Sequence, residues 1–219
     1  DNAEYGLGMA TGVRQMRDKV EDACKELLAT DAPEEAKAAF DSAMEGFAGV
    51  GYTPVAFLGT QVVAGTNYMF LARHYSDDGS KQELCTVVIY SDLQDGQQIL
   101  SVTPFDLASK LESEGTEPEQ GLAGGFAVNE EIDKTACLTD EETAAFEKAF
   151  EGLTGVAYTP VTVLASQVVA GENLAYLAKG EMVTAEPVTN LYIVNVYKDL
   201  EDGASINNIC VLNLAELAE

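Results

Sequence analysis

The sequence predicts an α+β protein built from two tandem units, each with one α-helix packed across a four- or five-stranded antiparallel β-sheet. Three observations carry that expectation. Gln61-Val62-Val63-Ala64-Gly65 recurs as Gln167-Val168-Val169-Ala170-Gly171 at an offset of 106 residues, and Tyr52-Thr53-Pro54-Val55 recurs as Tyr158-Thr159-Pro160-Val161 at the same offset. A repeat of that length is one folding unit used twice. Each copy is preceded by apolar residues at helical spacing and followed by β-rich runs separated by turn residues. Such a meander makes an antiparallel sheet with one face to cover, and the helix stripe covers it. A chain of 219 residues then divides into units of about 105 to 110 residues, an ordinary domain size. The first spans residues 1–111 and the second 124–219, and the polar, Gly- and Pro-containing stretch 112–123 joins them.

The elements follow in order. Gly6, Gly8 and Gly12 are one residue off a dinucleotide-binding spacing and lack its βαβ setting, so they read as an extended glycine-rich segment. Asp31-x-x-Glu34 is a capping-box pattern with Pro33 in the first turn, and Ala36, Ala39, Phe40, Ala43, Met44 and Phe47 form the stripe of the first helix. Gly46 and Gly49-Val50-Gly51 end that helix. Strands are expected over about 54–63, 67–75, 83–91 and 97–105, with turns at Ala64-Gly65, Asp77-Asp78-Gly79-Ser80 and Gln94-Asp95-Gly96. The second unit opens with a strand over Gly124-Gly125-Phe126-Ala127-Val128. Its helix is capped by Thr139-x-x-Glu142, with the stripe Phe146, Ala149, Phe150 and Leu153. Strands around 190–199 and 206–212 close it. Tyr90-Ser91-Asp92-Leu93 matches Tyr197-Lys198-Asp199-Leu200 at an offset of 107, so one residue is inserted between the two hairpins.

Charge narrows the partners. Thirty-seven acidic against 12 basic residues give a net charge of −25. That field repels phosphate backbones and anionic lipid, so nucleic acid is excluded as a partner, and no apolar run reaches the roughly 18 residues that insert across a bilayer. A neutral or basic protein partner fits. Cys24, Cys85, Cys137 and Cys210 fall two to a repeat without Cys-x-x-Cys spacing, leaving bridges within each unit or free thiols as the two options. The chain begins at Asp1, which suits a secreted, periplasmic or cell-surface product with its signal segment removed, or a trimmed chain. His74, the single histidine, lies at a strand end without partners for a Cys–His dyad or a zinc site. Asp77, Asp78 and Glu83 lack the alternating oxygen ligands of an EF-hand loop. The expectation is a protein that is not an enzyme and uses no cofactor.

Gln-x-Val-x-Gly in the first hairpin of a helix-plus-antiparallel-sheet unit resembles the cystatins, inhibitors of papain-like cysteine peptidases. Thr60 to Tyr68 is similar to that family across nine successive positions, while the second copy keeps the pentapeptide and Asn173 but has Leu174 where tyrosine is common. The resemblance implies two tandem cystatin-like domains and a three-part wedge that enters a peptidase cleft. Gln61, Val62, Val63, Ala64 and Gly65, with Gln167, Val168, Val169, Ala170 and Gly171, match its first hairpin. Gly124 and Gly125 match the bending point of its N-terminal trunk in the second repeat, whereas Gly8 and Gly12 lie too far upstream in the first. Leu93 and Leu200 stand at its second hairpin, where secreted cystatins carry Pro-Trp and the single-domain intracellular branch has leucine; this chain has no tryptophan. Asp95, Glu201 and Asp202 bring charge to that surface, which implies weaker inhibition. The implied partner is a papain-like cysteine peptidase or another extracellular protein, the second being a non-inhibitory binding or adhesion role for the same fold. A hairpin-exchanged dimer is a third option, because this loop is the hinge of exchange in that family.

Overall fold

A helix followed by four antiparallel strands is built twice, and the copies agree to the level of individual bulges. The structure is a computed structural model that describes residues 32–45, 50–76, 82–111, 126–129 and 138–217. The first repeat contributes α1 (Glu34–Met44), β1 (Val50–Val63), β2 (Gly65–Ser76), β3 (Gln82–Ser91), β4 (Gln97–Pro104) and a short α2 (Leu107–Leu111). The second contributes β5 (Ala127–Val128), α3 (Asp140–Ala149), β6 (Val156–Val169), β7 (Gly171–Met182), β8 (Thr189–Lys198), β9 (Ala204–Val211) and α4 (Leu214–Leu217). They form one four-stranded sheet, β1-β2-β3-β4, and one five-stranded sheet, β5-β6-β7-β8-β9, with every pairing antiparallel. The protein is therefore α+β. β1 is bulged between Pro54 and Ala56 and between Phe57 and Gly59, and β6 between Pro160 and Thr162 and between Val163 and Ala165. The extra residues bend both strands in the same places. The inserted residue lies where the offset changes: 77–81 joins β2 to β3, and the longer 183–188 joins β7 to β8.

The two helices start differently. At α3 the expected capping box is present, with the Glu142 amide donating to Thr139 Oγ1 at 3.1 Å and the Thr139 amide donating to Glu142 Oε2 at 2.8 Å. Thr139→Ala is expected to cost about 1 kcal/mol of stability, checked by urea denaturation. At α1 the expected box is replaced. Pro33 is the N-cap and has no side chain to cap with, its carbonyl accepts the Lys37 amide at 3.0 Å, and Glu34 pairs with Lys37 at 3.2 Å. Glu34 is thus the first helical residue, placed for the helix dipole rather than for reaching back; Asp31 lies outside the described residues. α1 ends at Met44, and Gly51 sits inside β1 rather than in a helix stop. Phe47 also lies outside the described residues. Leu153 does not belong to the α3 stripe: it follows the helix end and is 53% exposed.

Both faces of both sheets are buried, which is the main departure from the one-faced sheet expected. On the outer face of the first sheet, Ala36, Ala39 and Phe40 of α1 pack on Phe70, Ala72, Val87 and Ile89. On the outer face of the second, Ala145 and Phe146 of α3 pack on Val163, Tyr176, Val194 and Val196. The Tyr176 hydroxyl is satisfied by donating to the Glu142 carbonyl at 2.7 Å, which ties α3 to β7. Inner-face residues from the two sheets then form one common core: Val55, Leu58, Leu71 and Leu84 with Val161, Leu164, Leu177 and Ile193. The layers run helix, sheet, sheet, helix. The unexpected short helices close the rim of this interface. Leu111 of α2 and Leu212 are buried in the common core, and Leu214 and Leu217 of α4 pack against it. α2 also bonds across the repeats, where Asn208 Nδ2 donates to the Lys110 carbonyl at 3.0 Å.

Candidate functional site

Each sheet ends in a pair of adjacent hairpin tips, and the pentapeptides form the first tip of each pair. In β1 and β2 the register runs to Val63 opposite Gly65, leaving Ala64 as the turn. Gly65 has φ +128° and Gly171 has φ +117°, left-handed backbone that only glycine adopts without strain. A side chain on Gly65 would also collide with the Ser91 carbonyl oxygen and the Tyr90 ring, and one on Gly171 with the Lys198 carbonyl oxygen and the Tyr197 ring. Both hairpins close on their own strands, with Gly65 adjoining Val63 and Gly171 adjoining Val169.

Long-range hydrogen bonds hold these turns. Tyr90 Oη donates to the Ala64 carbonyl at 2.5 Å, and Tyr197 Oη donates to the Ala170 carbonyl at 2.5 Å. Across each hairpin Asn67 Nδ2 donates to Gln61 Oε1 at 3.0 Å, and Asn173 Nδ2 to Gln167 Oε1 at 2.9 Å. The glutamine that opens each pentapeptide is therefore a brace, and the valines are left to face outward: Val62 is 84% exposed and Val168 is 79% exposed.

The second tip of each pair is built by an aspartate. Asp92 Oδ1 accepts the amides of Gln94 at 2.7 Å and Gly96 at 2.9 Å; Asp199 Oδ1 accepts those of Glu201 at 2.8 Å and Gly203 at 2.7 Å. Asp95 and Asp202 take the positive φ these turns need, 63° and 62°, a conformation aspartate tolerates better than most residues. The turns push Leu93 and Leu200 outward, each 83% exposed. β2 begins against the end of β3, with Thr66 opposite Ser91, so both tips of a pair project from one sheet edge. The expected residues Gln61 to Gly65 and Leu93 are thus brought together, as are Gln167 to Gly171 and Leu200. Gly124 and Gly125 lie outside the described residues.

The bracing residues Tyr90, Tyr197, Asp92 and Asp199 stand outside the expected site, and their signal in the sequence is the match of Tyr90-Ser91-Asp92-Leu93 with Tyr197-Lys198-Asp199-Leu200. One difference separates the pairs. Asn207 Nδ2 donates to Asn173 Oδ1 at 3.1 Å, whereas Leu100 stands at the corresponding place in β4 and Asn67 Oδ1 has no partner.

His74 is half-buried against Tyr52, with ring centroids 5.1 Å apart. Among the described residues no group of three or more His, Cys, Asp or Glu side chains could hold a metal ion, and no helix is long and apolar enough to cross a membrane. Cys85 and Cys210 are free thiols, while Cys24 and Cys137 lie outside the described residues. Burial, with a smaller effect from Glu83, pushes the Cys85 thiol up to about 11. About one such thiol in a thousand is ionised at pH 8, and the thiolate is the reactive form. Cys85 is therefore expected to stay unmodified by iodoacetamide in the native protein and to react fully in denaturant, read by peptide mass mapping. The chain matches no protein-family model and no curated protein.

Proposed function

We propose that the chain is a reversible inhibitor of papain-like cysteine peptidases, built as two tandem cystatin-like units that each insert a hairpin wedge into a peptidase cleft. The observation that carries this reading is the exposed, braced Gln-Val-Val-Ala-Gly turn standing beside a protruding leucine turn at one sheet edge. A cleft-blocking inhibitor needs a rigid apolar projection that fills the substrate site without presenting a scissile bond. Val62 with Leu93, and Val168 with Leu200, supply that projection, and the Tyr, Asn and Asp hydrogen bonds hold its shape before binding. Preorganisation of this kind lowers the ordering cost of association. The residues act by shape and burial, so this function draws on no catalytic group or cofactor. Papain assayed with a small fluorogenic substrate tests it: inhibition is expected at or below micromolar concentrations, and none at tens of micromolar, where even a weak interface would register, rejects it.

The exposed carboxylates Asp95, Glu201 and Asp202 beside the leucines favour a second reading, a non-inhibitory binding module for a basic protein surface. In that case the same assay is silent, and binding is strongly weakened by salt.

A further inference from the structure

We infer that the chain is divalent: its two tip pairs occupy two peptidase molecules at once, giving a complex of two peptidases on one chain. This rests on the inhibitory function proposed above and adds its stoichiometry. Two observations support it.

The first is that the tips are equivalent. Sequence alone divided the wedge unevenly, giving the better hairpin to the first repeat. In the structure three braces recur in both pairs, tyrosine to the turn carbonyl, asparagine to glutamine, and aspartate to two amides, and the Asn207–Asn173 bond is the one addition in the second. The outward valine and leucine are also exposed to nearly the same degree in each. Surfaces that match in shape and chemistry select the same partner class.

The second is that the tips do not share an end of the molecule. β9 starts at the second tip pair and runs for eight residues, Ala204–Val211, before α4. At about 3.3 Å per residue the start of α4 is some 25 Å from that pair. Yet Leu214 and Ala215 of α4 line a groove with Gly59, Thr60 and Gln61, at the base of the first pair. The first pair therefore sits beside the part of the second sheet most remote from the second pair. In the other direction, α2 leaves the end of β4 remote from the first pair and packs on β8 and β9. With the sheets locked face to face through the common core, the pairs project from separate ends, and a peptidase on one leaves the other open.

Sedimentation velocity with excess papain, its active-site cysteine blocked by a methylthio group, tests the inference. Two papains per chain are expected at saturation. Val62→Asp and Val168→Asp, both at exposed positions that leave the core untouched, are each expected to reduce this to one, and together to none. Saturation of the native chain at one papain overturns divalency and leaves inhibition standing. The absence of any complex, together with the absence of inhibition, overturns both.

Discussion

Leu177→Ala is expected to destabilise both repeats together, lowering the unfolding free energy of the whole chain by about 2–5 kcal/mol. Leu177 has no exposed surface, and it lies in the core to which both sheets contribute. Truncation leaves a cavity that a close-packed interior closes only partly, so the loss exceeds the transfer energy of the deleted methyls. Because Leu71 and Leu84 of the first sheet belong to the same core, their burial weakens with that of Ile193 and Leu164. Hydrogen exchange followed peptide by peptide distinguishes this from two independent domains. Amides of β2 and β3 are expected to exchange faster in the variant along with those of β7 and β8, in one cooperative step. Unchanged protection in β2 and β3 would mean that the repeats unfold separately. Phe40→Ala, in the outer core under α1, is the contrasting variant: its cost of about 3–5 kcal/mol falls first on the helix and sheet of the first repeat.

Gly65→Ala combined with Gly171→Ala is expected to weaken papain inhibition by about tenfold to a hundredfold while leaving the core intact. At these positive φ angles a side chain costs of order 1–3 kcal/mol, and each 1.4 kcal/mol is a factor of ten in affinity. The Ser91 and Lys198 carbonyls that would meet the new methyl groups are backbone, so the turn must move rather than the neighbour. Movement pulls the Ala64 and Ala170 carbonyls off the tyrosine hydroxyls that hold them. Gly152→Ala is the control, because Gly152 also has a positive φ, 84°, but has open space where its side chain would point and belongs to neither tip. It is expected to cost stability and leave inhibition unchanged. Full inhibition by the double variant would show that the pentapeptide turns are not the contact surface.

Positive φ, tyrosine braces and outward valines follow from the backbone and its hydrogen bonds.

What the sequence determined by itself is what local chemistry decides. Helical spacing of Ala36, Ala39 and Phe40, the Thr139–Glu142 cap, and the turns at Ala64-Gly65 and Asp95-Gly96 all act over a few residues. The second buried face also has a signal in the sequence. Leu84 to Ile89 and Leu174 to Ala178 are unbroken buried runs rather than alternating ones, the pattern of strands covered on both sides. Only tertiary structure decided what covers that face, because the partners Leu71 and Leu177 or Lys110 and Asn208 are about a hundred residues apart, beyond the reach of any periodicity. It also decided the equality of the tips. Tyr90 and Tyr197 meet their turns across the sheet, and no spacing within the pentapeptide announces a brace that arrives from another strand.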